Sequence, residues 1–190
     1  MLAQVKSDQL DQEYARIMAF AYGQPNDETY AAMLASLQAD IASIPDYFGL
    51  GVQEFTRLLA SHFPGLDVAS ITANGRNPDT ERNEELDDVY KLLIANRTGI
   101  TESEIWMARM VASACQGQDH LWQDMGLWSR SQLSELLMRN FPRLAAKNIN
   151  NMKWKKFFYK QLCATEGIYT CRSPSCEVCI DYAKCFGPEI

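Results

Sequence analysis

Apolar residues recur along this chain at the three- and four-residue spacing of a helical face. Leu10, Tyr14, Ile17, Met18 and Ala21 form the first such stripe. They predict a helix from Gln9 to Tyr22, ended by Gly23 and Pro25. Asn26 or Asp27 then caps a second helix with Tyr30, Met33, Leu34, Leu37 and Ile41 on its inner face. The connection is short, so these two are expected to pack as an antiparallel pair. A third helix follows Gly49-Leu50, carries Phe55, Leu58 and Leu59, and stops near Phe63-Pro64. The stretch Thr72 to Asn83 is polar, with Asn74-Gly75 and Asn77-Pro78 as turn signals, and reads as an exposed loop. Helix resumes from Glu84 to Asn96, with Leu86, Val89, Tyr90 and Leu93 inward. The Thr101-x-x-Glu104 spacing is a capping box that opens the next helix. Ile105, Ala108, Val111, Ala112 and Cys115 share its apolar face, so Cys115 reads as a small buried hydrophobe.

The second half repeats one element of the first. Gly126-Leu127 leads into a helix carrying Leu133, Leu136 and Leu137 that stops near Phe141-Pro142. The pairs Leu58/Leu136, Leu59/Leu137, Phe63/Phe141, Pro64/Pro142 and Leu66/Leu144 share an offset of 78 residues. Two accounts stand: a duplicated helix-stop unit, or independent use of Phe-Pro as a terminator. Two copies do not make a solenoid. The last helix runs from Met152 to Thr165, closed by Gly167. Advancing about 100° per residue from Lys153 places Trp154, Phe157, Phe158 and Leu162 in one apolar arc. Lys153, Lys156 and Lys160 form a stripe opposite it, with Cys163 alongside. The fold expected is one all-α domain over residues 1–190, of seven or eight helices. A cysteine-rich segment, residues 163–189, is appended within it. No run of alternating β-branched residues predicts a strand, although a small hairpin around the cysteines stays open.

At 190 residues and 47% hydrophobic, the chain can bury a core of its own and fits one domain. No apolar run reaches membrane-spanning length, and the N-terminal residues lack a signal peptide's apolar stretch. A cytoplasmic protein with reduced thiols is the expectation. The net charge of −6 is unevenly placed. Residues 1–142 carry ten Lys/Arg against twenty Asp/Glu, whereas residues 143–190 carry eight against four. The acidic total counts against a nucleic-acid partner.

The basic end also holds the chemistry. From Cys171 to Cys185 the cysteines are spaced C-x4-C-x2-C-x5-C. Thiolates are soft ligands for zinc, copper(I) or iron–sulfur clusters. Structural zinc generally uses two similar pairs with a longer stretch between them. Here one C-x-x-C, Cys176 and Cys179, is flanked by single cysteines at unequal distances. Cluster irons sit at separate corners and need ligands further apart, so the spacing favours an iron–sulfur centre over zinc. Little of this segment can pack as core, and a metal is the simplest thing to order it.

This run, followed by Phe186-Gly187-Pro188-Glu189, resembles the C-terminus of the NifQ family of nitrogen-fixation proteins. Two upstream blocks are similar to the same family: His120-Leu121-Trp122-Gln123-Asp124-Met125-Gly126-Leu127, and Met152 to Cys163 with its Lys-Trp-Lys-Lys-Phe-Phe core. The resemblance implies a molybdenum–iron–sulfur cluster protein that supplies molybdenum for biosynthesis of the nitrogenase iron–molybdenum cofactor. It implies Cys171, Cys176, Cys179 and Cys185 as the cluster ligands. The implied partners are molybdate, the cofactor-assembly scaffold NifEN and NifH. Spacing and composition alone point to the thiolate site and not to molybdenum.

Other residues carry two readings each. His62 sits at a helix end, where it can hydrogen-bond the last carbonyls. His120 lies between helices; a structural role is the plainer reading, and an auxiliary metal ligand the sharper one. Cys163 is either a thiol with no task or an auxiliary ligand. Lys153, Lys156, Lys160, Arg172 and Lys184 are a solvated face, or a surface for an oxyanion or an acidic partner. There is no G-x-S-x-G, no H-E-x-x-H and no phosphate-binding glycine loop, so no enzymatic activity is expected. Two alternatives to a molybdenum carrier remain at this stage: a structural zinc-binding helical adaptor, and an iron-only electron-transfer protein.

Overall fold

A computed structural model of the chain describes residues 2–71, 75–76, 83–166 and 182–187. The regular secondary structure of the described residues is all helical, without a strand. In order they form α1 (Leu2–Met18), α2 (Asp27–Gln38), α3 (Val52–His62), α4 (Asn83–Ala95), α5 (Ser103–Ala114), α6 (Leu121–Asp124), α7 (Arg130–Asn140), α8 (Pro142–Ala145), α9 (Trp154–Glu166) and α10 (Tyr182–Phe186). Short 3-10 turns lie at Asp46–Gly49 and Val68–Ser70. Seven of the helices are eleven residues or longer, and α6, α8 and α10 are single turns. The closest packing is α1 on α2 and α4 on α5, with α9 laid against α4. Most of Thr72 to Asn83, the closing Gly167 and the region of the suggested hairpin lie outside the described residues.

A buried polar cluster joins four of these helix ends. Asn26, at the N-cap of α2, turns its side chain inward instead of capping. Its amide donates to Ser103 Oγ (2.9 Å) and Asn140 Oδ1 (2.8 Å), and accepts from Asn140 Nδ2 (3.1 Å). The Tyr30 hydroxyl donates to the Ser103 carbonyl at 2.9 Å. Asp27 lies 2.6 Å from His62 Nδ1, and its other oxygen accepts the Gly23 and Gln24 backbone N–H groups. Every one of these side chains is buried, so each bond replaces water that is no longer there.

The two Phe-Pro stops have one geometry. Phe63 (φ −135°, ψ 62°) and Phe141 (φ −134°, ψ 52°) end α3 and α7 and are both fully buried. Their N–H groups reach the Leu59 and Leu137 carbonyls at 2.7 and 2.8 Å. The preceding residues, His62 and Asn140, sit at the same 78-residue offset and grip the neighbouring residues Asp27 and Asn26. After the stops the paths differ, since Pro142 opens α8 whereas Pro64-Gly65 turns.

Four helix boundaries depart from the sequence reading. Helix α1 starts at Leu2 and not Gln9, because Ala, Gln, Lys and Leu favour helix without making an apolar stripe. It ends at Met18, and the next residues tighten through i to i+3 bonds such as Phe20 N–H to the Ile17 carbonyl at 3.0 Å. Ile41 is 47% exposed because α2 stops at Gln38 and Asp40 adopts a left-handed φ of 57°, which breaks the register. The capping box is only half formed. Glu104 accepts the Thr101 N–H at 3.0 Å, but it also gathers the Gly99 and Ile100 N–H groups and the Thr98 hydroxyl, and the helix begins at Ser103. Burial pushes the Glu104 carboxyl up, yet these four donors outweigh it and hold the group below the usual range.

His62 is the most pH-sensitive part of the buried cluster. Burial lowers its pKa from the ordinary 6.5, opposed in part by Asp27. The unfolded chain therefore binds the proton first, and stability is full above about pH 6.5 and falls as acid is added. Urea unfolding should show this loss as the pH falls below about 6.5, and His62→Gln should flatten it there. An unchanged pH slope in the variant would remove His62 as the cause.

Candidate metal centre

Helix α9 is amphipathic as its spacing predicts. Trp154, Phe157 and Phe158 are buried, while Lys156 and Lys160 face outward and Lys153 is half-buried. The Trp154 and Phe157 rings meet edge to face, 5.6 Å apart at 89°, an arrangement that aromatic quadrupoles favour. The Tyr159 hydroxyl donates to Glu85 of α4 at 3.2 Å, and Trp154 Nε1 donates to Ser134 of α7 at 3.3 Å.

The entry to α9 is tied from both sides. Asn148 bonds both the N–H and the carbonyl of Met152, at 2.8 and 2.9 Å. Lys153 donates its backbone N–H to the Cys185 carbonyl at 2.8 Å. That bond seats α10 at the start of α9. Cys185 is half-buried there and packs, with Phe186, against the core.

One contact of α9 was not anticipated. Lys155 forms an ion pair with Asp124 of α6 and also donates to the Gly117 carbonyl at 2.7 Å. The Asp124 carboxylate is 1% exposed and the lysine side chain 17%. Lys155 falls at about 200° on the helical wheel, close to Leu162 at about 180°. A lysine on the apolar side of a helix calls for a buried acid, which was the available signal. Gly117 belongs to the same contact, because a Cβ there would stand 2.3 Å from the Asp124 Cγ.

This pair draws the α6 turn against α9 and leaves an open cleft of about 440 Å³ beside it. Its lining includes Asp119, His120, Lys153, Lys155, Lys156 and Lys184, over Leu121 and Trp154. His120 is half-buried at the start of α6, where its N–H donates to Gln123 Oε1 at 3.2 Å. The cleft thus brings His120, Lys153, Lys156 and Lys184 together, whereas Lys160 is exposed further along α9 and is not part of the lining. Cys163 is half-buried on α9, and Cys115 is buried at the end of α5. Cys171, Arg172, Cys176 and Cys179 lie outside the described residues. Among the described residues no three His, Cys, Asp or Glu side chains converge as a metal site.

Among the described residues this is an all-helical protein with Cys163, Cys185 and the cleft lysines on and beside α9 and α10. The profile of the NifQ family matches residues 29–187, and the chain belongs to that family. It is 44% identical over 168 residues to protein NifQ of Azotobacter vinelandii, covering 83% of this chain and 86% of that one. It is 36% identical over 159 residues to protein NifQ of Rhodobacter capsulatus, covering 83% and 78%. A NifQ homolog of Sinorhizobium fredii (strain NBRC 101917 / NGR234) is 34% identical over 154 residues, covering 81% and 66%. No solved structure matches the chain.

Removing one partner of a buried ion pair strands the other. Lys155→Met should cost about 3–5 kcal/mol in urea unfolding, and adding Asp124→Leu should recover part of that loss. A Lys155→Met protein as stable as the parent would show that the pair does not hold α9 in place.

Proposed function

We propose that this protein is a molybdenum carrier of nitrogen fixation, a metallochaperone and not a catalyst. It would bind molybdenum as part of an iron–sulfur cluster in the cytoplasm and donate it for biosynthesis of the nitrogenase iron–molybdenum cofactor. The observation that carries this reading is the C-x4-C-x2-C-x5-C run in a chain that belongs to the NifQ family. Cys171, Cys176, Cys179 and Cys185 would be the ligands, three of them on iron, with the fourth or a non-protein ligand on molybdenum. The donor set fits such a group: four thiols, soft and anionic when deprotonated, at spacings wide enough for separate metal corners. Molybdate would be the incoming cargo, and the cofactor-assembly scaffold NifEN with NifH the recipients.

The setting of Cys185 supports a site that both holds and releases. Its carbonyl is anchored to α9 through the Lys153 N–H, so one ligand stands on a fixed wall. No helix among the described residues is long and apolar enough to cross a membrane.

Protein purified anaerobically should be brown and contain iron, sulfide and molybdenum. Cys179→Ser should lose most of this metal, whereas Cys115→Ser, in a helix core 4% exposed, should keep it. Equal metal in the two variants would remove the C-terminal ligand assignment. Stoichiometric zinc without sulfide would replace the carrier with a zinc-ordered adaptor.

A further inference from the structure

The cleft beside α9 differs from an ordinary solvated lysine face in its construction. Its cations do not run along one helix. Lys153, Lys155 and Lys156 come from α9, Lys184 from α10, and His120 from the start of α6. Four lysines and His120 meet on its lining beside Asp119, with Asp124 beneath them paired to Lys155. This gathering of cations sits on a chain whose net charge is −6. The walls include Leu121 and Trp154, 2% and 5% exposed, and low-dielectric walls concentrate the field of nearby charges. Lysine ammonium groups on flexible stems suit a compact anion approached from several directions more than a planar one.

We infer that this cleft binds a tetrahedral dianionic oxyanion, with Lys153, Lys156 and Lys184 supplying the charge and His120 a directional hydrogen bond. Lys155 contributes from below, held by Asp124. The inference rests on the carrier reading for the particular member of the class, molybdate. Its place in that function follows from the fold. Lys184 is the chain neighbour of Cys185, and the Lys153 N–H holds the Cys185 carbonyl. An oxyanion captured in the cleft is therefore adjacent to a proposed cluster ligand before any metal–thiolate bond forms. The cleft is a waiting site for cargo, distinct from the thiolates that would retain it.

Equilibrium dialysis of the full-length protein against labelled sodium molybdate tests this directly, with sulfate as a competitor. The parent should bind about one molybdate per chain, and Cys176→Ser/Cys179→Ser, which cannot complete the thiolate set, should bind it as well as the parent. Lys153→Gln/Lys156→Gln/Lys184→Gln should bind at least about tenfold more weakly, with an unchanged circular dichroism spectrum. The corresponding arginine triple should retain binding. Affinity should drop as the screening length shrinks from about 10 Å at 0.1 M salt to about 3 Å at 1 M. Displacement by sulfate identifies the oxyanion class. Binding that survives in the glutamine triple overturns the cleft, and binding lost only in the cysteine variant assigns molybdate to the thiolates instead. Normal molybdate binding by the glutamine triple with failed delivery to an acceptor protein assigns the lysines to docking and overturns the inference. Failure of the carrier reading is separable: the cleft would still bind oxyanion while anaerobic preparations contained no molybdenum.

Discussion

A buried lysine–carboxylate pair sets the geometry of the functional end of this molecule. Asp124 has given up nearly all its water, and Lys155 most of its own. Neither can move away without leaving an uncompensated charge in a poorly solvated place. The pair therefore fixes the α6 turn against α9, and it does so in one register. Gly117 is small because the carboxylate occupies the space its Cβ would take. Through α9 the same constraint reaches α10, which is bonded to the first residue before that helix. His120, the lysines and Cys185 occupy one neighbourhood because their three helices are joined in this way.

The rest of the body supplies rigidity. Asn26, Asp27, Tyr30, His62, Ser103 and Asn140 form a hydrogen-bonded knot where α2 and α5 begin and α3 and α7 end. A knot of this kind tolerates little displacement, since each broken bond exposes a buried polar group with no replacement partner. The helical body is thus held by packing and polar bonds of its own. A metal bound at the thiolates would have a stable protein to return to after it leaves, which is the requirement for a carrier.

Helical periodicity made much of this fold legible, because amphipathic helices write their inner face into local spacing. Leu58, Leu59, Leu136 and Leu137 are buried where that spacing puts them. Boundaries were less legible. The start of α1 has helical propensity without a stripe, and Ile41 continued a pattern that the backbone abandons at Asp40. Glu104 looked like one half of a capping box and proves to organise a whole turn. At the site, the cysteine run is a local spacing pattern, but Cys171, Cys176 and Cys179 lie outside the described residues. The cleft was not legible, because its lining comes from residues near 120, 155 and 184. The helical wheel grouped Lys160 with Lys153 and Lys156, but the cleft stops short of it and takes Lys184 from another helix. Lys155 was passed over although its position beside Leu162 marked it as a cation facing inward.

The central claim is that molybdenum held by the C-terminal thiols is handed to another protein. The most direct measurement loads the purified protein with labelled molybdenum under anaerobic conditions, mixes it with the cofactor-assembly scaffold, and separates the two. The account predicts that label leaves this chain and appears on the scaffold, and that a Cys176→Ser/Cys179→Ser protein delivers none. Label that stays on the parent protein while its cluster accepts and returns one electron would contradict it, and would make the protein an electron carrier.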